Sequence, residues 1–190
     1  MTRTPPVAFL LVLIWSGAAL PAVAQQVELG GFATYIAMDD VDQNPWGIGG
    51  RLGVQVLPFA TLEAEVSAFP GDLTVTGPMT QVLGGVRLGG RGRGYGLYAK
   101  LRPGFVRFDE DFIAPGLGCV AGVPTPEACL TDQYNFALDV GSVVELYPND
   151  RLIVRIDIGT TNIWYGTRGD DGPTRHAGNF QLSMGAGVRF

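Results

Sequence analysis

From Asn179 to Phe190 the chain alternates without a break: Phe180, Leu182, Met184, Ala186, Val188 and Phe190 are interleaved with Asn179, Gln181, Ser183, Gly185, Gly187 and Arg189. A period of two places all the apolar side chains on one face of an extended strand and the polar or absent ones on the other. The pattern recurs upstream. Leu152, Val154, Ile156 and Ile158 oppose Arg151, Arg155, Asp157 and Gly159, and Tyr134, Phe136, Leu138 and Val140 oppose Asn135, Ala137, Asp139 and Gly141. Leu62, Ala64 and Val66 oppose Glu63, Glu65 and Ser67, while Ile48, Leu52 and Val54 oppose Gly49, Arg51, Gly53 and Gln55. Weaker strands run from about Gln81 to Gly89 and from Tyr95 to Phe105, and the opening strand, about Gln26 to Ala37, has the least clean pattern.

Eight strands follow, and the links between them alternate in length. Short links near Leu57 to Ala60, Gly89 to Gly94 and Tyr147 to Asp150 carry Pro, Gly, Asn or Asp, which supply turn geometry. Long links fall near Met38 to Pro45, Pro70 to Thr80, Asp109 to Asp132 and Trp164 to Gly178. Three short and four long links suit an eight-stranded antiparallel up-and-down barrel with both termini at one end. Pro103 has no N–H for a strand ladder, so a bulge or the outer rim is expected there.

The charges favour the polar face as the inner one. Arg51, Arg87, Lys100, Arg102, Arg151, Arg155 and Arg189 lie on that face with Glu28, Glu63, Glu65, Asp139, Glu145 and Asp157, a nearly neutral set able to pair in a barrel interior. On a lipid-facing wall near the bilayer midplane each basic residue would instead cost about 2–4 kcal/mol. Inward glycines leave room for the long side chains, and an eight-stranded interior is filled by its own residues, so no wide pore is expected. A soluble ligand-binding barrel would reverse this polarity, keeping its apolar residues inside.

The N-terminus explains how such a chain reaches a membrane. Arg3 precedes an apolar run from Val7 to Trp15, and Ala22-Val23-Ala24 places small residues before Gln25, as in a secretory signal peptide cleaved after residue 24. Residues 25–190 then form the barrel domain. The apolar run is shorter than the roughly 20 residues of a membrane helix, and no later stretch approaches that length. With a net charge of −5 and no Lys/Arg run longer than a pair such as Arg91 and Arg93, the chain has no electrostatic footprint for nucleic acid.

Taken together, residues 26 to 190 resemble the small eight-stranded outer-membrane β-barrels of Gram-negative bacteria, the class of the OmpA transmembrane domain and OmpX. Strands of about 9 to 11 residues suit the ~25 Å apolar band of such barrels. The resemblance implies an all-β transmembrane barrel in the outer membrane, monomeric, surrounded by lipid and without cofactor, metal or catalytic residues. It also implies that Val188-Arg189-Phe190, with Phe190 as the assembly signal, is read by the outer-membrane assembly machinery. A peptidoglycan-gripping domain is not expected. Tyr35, Trp46, Phe69, Tyr134, Trp164, Tyr165 and Phe180 on the long-loop side, with Phe59, Tyr95, Tyr147 and Phe190 on the short-turn side, are expected as aromatic girdles.

The long links carry the remaining signals. Cys119 and Cys129 share the longest one and, after export to an oxidising compartment, are expected to form a disulfide. Asp39, Asp40, Asp42, Asp72, Asp109, Glu110, Asp111, Glu127, Asp132, Asp170 and Asp171 outnumber Arg168 and Arg175 there, without the spacing of a twelve-residue calcium loop. His176-Ala177-Gly178 resembles part of a lipid A deacylase motif, but Gly178 stands where that motif has its nucleophilic Ser. The expected role is therefore structural or surface-interactive, through acidic extracellular loops, with a narrow channel for ions or small solutes as the alternative and lipid A modification behind both.

Overall fold

The computed structural model describes residues 26–38, 44–70, 78–108, 133–165 and 175–190. They form eight strands: β1 (Val27–Ala37), β2 (Trp46–Leu57), β3 (Ala60–Phe69), β4 (Met79–Arg91), β5 (Tyr95–Phe108), β6 (Gln133–Leu146), β7 (Leu152–Tyr165) and β8 (Arg175–Arg189). Each pairs antiparallel with its neighbours in sequence, and β1 closes on β8 with Glu28 opposite Arg189 and Ala37 opposite Phe180. Closure leaves no sheet edge unpaired, which a sheet in hydrocarbon requires. The signal peptide, Cys119 and Cys129, and all eleven acidic loop residues lie outside the described residues.

Alternation places the apolar series on the outside. Leu62, Val66, Leu101, Phe136, Val140, Ile158, Phe180, Met184 and Val188 are exposed, while Glu65, Lys100, Arg102, Asp139 and Asp157 are buried. β7 and β8 run further toward the long loops than the sequence pattern indicates, and His176 to Gly178 belong to β8. β1 has a blurred pattern for a structural reason: Phe32, Ile36 and Met38 turn inward although they are apolar.

Pro103 corrects another expectation. It sits on the outer face of mid-β5, with no bulge and no change of face: the β5–β6 register runs unbroken through Pro103 opposite Leu138. On the other side, the β4–β5 pairing lapses between Leu83–Gly104 and Val86–Leu101 and then resumes in the same register. The missing N–H thus interrupts one ladder locally. The register shift that the structure does contain lies between Gln55 and Leu57, at the turn into β3.

The inward glycines do more than make room. Gly141 of β6 pairs directly with Gly159 of β7, and a Cβ on Gly141 would collide with the Ile158 carbonyl oxygen and the Gly159 Cα. The obstacle is backbone, so it cannot swing aside. Gly141→Val is expected to destabilise the barrel by about 1–3 kcal/mol, the usual cost of overpacking; a urea midpoint unchanged from the parent in refolded material would contradict this.

Candidate functional site

The lumen is where the polar chemistry of this chain converges, and it is organised in layers. Nearest the short turns, Glu28 of β1 accepts from Arg189 Nη2 at 2.5 Å and from Arg87 Nη2 at 2.7 Å. Arg87 also pairs with Glu145, whose other oxygen accepts from the Tyr147 hydroxyl at 2.7 Å. That hydroxyl lies 2.8 Å from Tyr98, leaving Tyr98 as the donor between them. The Arg87 guanidinium in turn stacks 4.5 Å from the centre of the Tyr98 ring.

The next layer is the most tightly paired. Arg155 donates to both oxygens of Glu63, at 2.5 and 3.0 Å, and to both oxygens of Asp157, at 2.7 and 2.9 Å. Arg51 reaches Asp157 at 2.8 Å, Arg102 bridges Glu65 and Asp139 at 2.6 Å each, and Lys100 lies 2.9 Å from Asp139. These groups come from five different strands, so the network ties the wall together across the barrel axis. Twelve of the thirteen charges assigned to the lumen meet there, six cations against six anions.

The exception is Arg151. It is exposed in the turn between β6 and β7, just outside the barrel, and does not join the network. Its position in the sequence continues the inward parity of Ile153 and Arg155, but the strand begins only at Leu152. Removing it from the interior brings the charges into exact balance.

Beyond the ions lies a layer of neutral polar groups. Gln181 donates to Thr34 at 3.1 Å and accepts from Thr161, Ser183 donates to Thr34 at 2.8 Å, and Ser67 donates to Gln81 at 3.2 Å. The lumen then turns apolar toward the long loops. Ile36, Met38, Phe69, Met79, Leu83, Val106, Phe108, Ala137, Ile163 and Ala177 form one buried cluster there. Phe69 therefore belongs to this plug and not to an outer girdle, and Tyr147 likewise turns into the lumen, because both sit at inward parity.

This plug escaped the sequence reading. Its signal is an apolar residue at inward parity in the loop-side end of nearly every strand. A cavity lined by Glu28, Arg51, Glu63, Glu145 and Arg155 measures about 20 Å³, room for roughly one water molecule.

The outer wall carries a row of rings in register, in which Trp164 of the expected girdle is joined by residues that the expectation did not include. Phe105, Phe136, Trp164 and His176 occupy one row across β5 to β8. Phe136 and Trp164 have ring centres 5.3 Å apart, and Trp164 and His176 4.8 Å. Tyr35 packs on Trp46 at 5.1 Å on the opposite side. From Phe136 to Leu146 the strand rises about 33 Å at ~3.3 Å per residue, or about 23 Å along the normal at a tilt near 45°. That matches the apolar band of an outer-membrane barrel. His176 is an outward strand residue whose Nε2 lies 3.2 Å from Asn162 Oδ1, and its ring completes this row.

No protein-family model matches the chain. No curated protein matches its sequence. Solved structures do match in shape: the N-terminal β-barrel domain of Pseudomonas aeruginosa OprF at 15% identity and TM-score 0.54, covering 87% of this chain and 97% of that one. Neisserial surface protein A, NspA, matches at 11% identity and TM-score 0.51, covering 87% of this chain and 95% of that one. At such identities the likeness speaks for architecture, and architecture is what the layers and girdles above describe independently. The chain has the fold of the small eight-stranded outer-membrane β-barrels.

Proposed function

We propose that this protein is an integral barrel of a Gram-negative outer membrane, which anchors and displays its acidic long loops at the cell surface for envelope integrity or surface contact. One observation supports this above the rest: the wall is apolar outside, while the lumen is filled by paired charges and an apolar cluster. The apolar outer face suits lipid; the charge-balanced network and the plug leave the molecule little to do through its centre. In this reading the interaction surface is the loop end, a disulfide between Cys119 and Cys129 braces the longest loop, and Phe190 serves in assembly.

The filled lumen also argues against the channel alternative, and Gly178, standing where the deacylase motif has its nucleophilic serine, against lipid A chemistry. Reconstituted in planar bilayers, the purified protein is expected to show no steady conductance above the lipid background. A reproducible unitary conductance would overturn the filled-lumen reading. In cell fractions the unboiled protein should run faster than the boiled one on gels and sediment with outer membranes; recovery from the soluble periplasm would refute the membrane assignment.

A further inference from the structure

The short-turn mouth breaks the charge balance of the lumen beneath it. Inside, Arg87 and Arg189 are matched by Glu28 and Glu145. Arg91, at the end of β4, adds a further cation: its guanidinium stacks 4.2 Å from the Tyr147 ring, and Arg189 lies 5.2 Å from the same ring. Tyr147 thus holds two guanidinium groups at the mouth while its hydroxyl is committed to Glu145. Exposed Arg151 adds another positive charge at this end, with Asp150 beside it as the nearest acid in sequence.

A second observation points to a ligand. Arg189 is 7% exposed, and although its Nε and Nη2 bind Glu28, its Nη1 is buried without a hydrogen-bond partner, as are single nitrogens of Arg87 and Arg102 deeper in the lumen; Arg189 is the one of these three that also lines the mouth. Buried guanidinium donors are normally satisfied, since leaving one unmade costs about 1–3 kcal/mol. Arg189 and Arg151 also line an open concavity at this mouth, together with Gln26, Asp150, Val188 and Phe190.

We propose that this mouth is an oxyanion site, at which Arg91 and Arg189, both stacked on Tyr147, and Arg151, beside Arg189, take a phosphate-type group. Planar guanidinium forks suit tetrahedral oxyanions, and stacking on a ring fixes their plane without using their donors. Two guanidinium groups share the one ring, and a bound anion would offset the excess positive charge that Arg91 and Arg151 bring to this end. Two sources present this chemistry at such a mouth, a free phosphate ester and the headgroup of an anionic phospholipid.

The test uses the full barrel in phosphatidylcholine nanodiscs, titrated with inorganic phosphate against chloride at matched ionic strength and followed by amide NMR. Saturable shifts at Arg91, Tyr147, Arg151 and Arg189, absent from the loop-side plug, are expected. Arg91→Gln should weaken binding at least about fivefold, whereas Arg93→Gln, in the same turn but away from the Tyr147 stack, should change it less than twofold. Replacing part of the phosphatidylcholine with phosphatidylglycerol distinguishes the sources: the same shifts without added phosphate assign the headgroup, and their absence assigns the soluble ester. Linear, chloride-like shifts, or equal effects of the two substitutions, would overturn the proposal whatever the conductance experiments show.

Discussion

Arg102→Met is expected to cost the barrel about 3–5 kcal/mol, the usual penalty for removing one partner from a buried ion network. Arg102 is fully buried and holds Glu65 and Asp139 at 2.6 Å each, with Glu63 and Asp157 at 3.7 and 3.9 Å. The two carboxylates lose unequally. Asp139 keeps Lys100 at 2.9 Å, but Glu65 is left with Arg51 at 3.6 Å. Glu65→Gln in the Arg102→Met background should therefore recover a large part of the loss, because it removes the charge that the first substitution stranded, and a double-mutant cycle isolates that coupling. Urea titration in lipid vesicles, scored by the gel mobility of unboiled samples, reads both. A single variant within 1 kcal/mol of the parent would mean that water already screens the lumen, and the filled interior would have to be abandoned.

What the alternation reveals and what it hides follow from the same rule. Parity alone places Arg155, Asp157, Arg102 and Asp139 inside and Leu182, Ile156 and Phe136 outside, since a strand residue has only two faces to choose from. Parity also places Phe69 and Tyr147 inside, yet a reading that sorts aromatics by their nearness to strand ends assigns both to the girdles. The apolar plug is hidden for a related reason. In an eight-stranded barrel the lumen is narrow enough for side chains to fill, so apolar residues can be satisfied there as well as in lipid, and hydrophobicity stops distinguishing the faces. Arg151 shows the complementary limit: its parity is inward and its carbonyl accepts from Arg189 N–H at 2.8 Å, but one position before the strand its side chain stands exposed. Which cations share which anions across the axis depends on the stagger of all eight strands, and a single strand's pattern carries no information about that. The loops, where surface contacts would be made, have no periodicity to read.

Val140→Arg tests the other side of the wall. Val140 is 43% exposed and lies near the middle of the span between the Phe136 row and the short turns. An arginine there would have to be buried in hydrocarbon or snorkel along the barrel, at about 2–4 kcal/mol, whereas Leu146→Arg, at the short-turn edge of the same strand, should cost about 0–1 kcal/mol. The gradient is the informative quantity. Both substitutions exchange an exposed apolar residue for the same cation on the same face of β6, so differences in strand propensity largely cancel, and what remains is depth in the bilayer. In water the two positions would be nearly equivalent, each within about 0.5 kcal/mol of the parent. Equal costs in vesicles would therefore show that this face does not meet lipid, and the barrel would have to be reassigned as a soluble one with its polarity inverted. A cost that rises from Leu146 to Val140 requires a hydrocarbon core of the thickness that the aromatic row marks out.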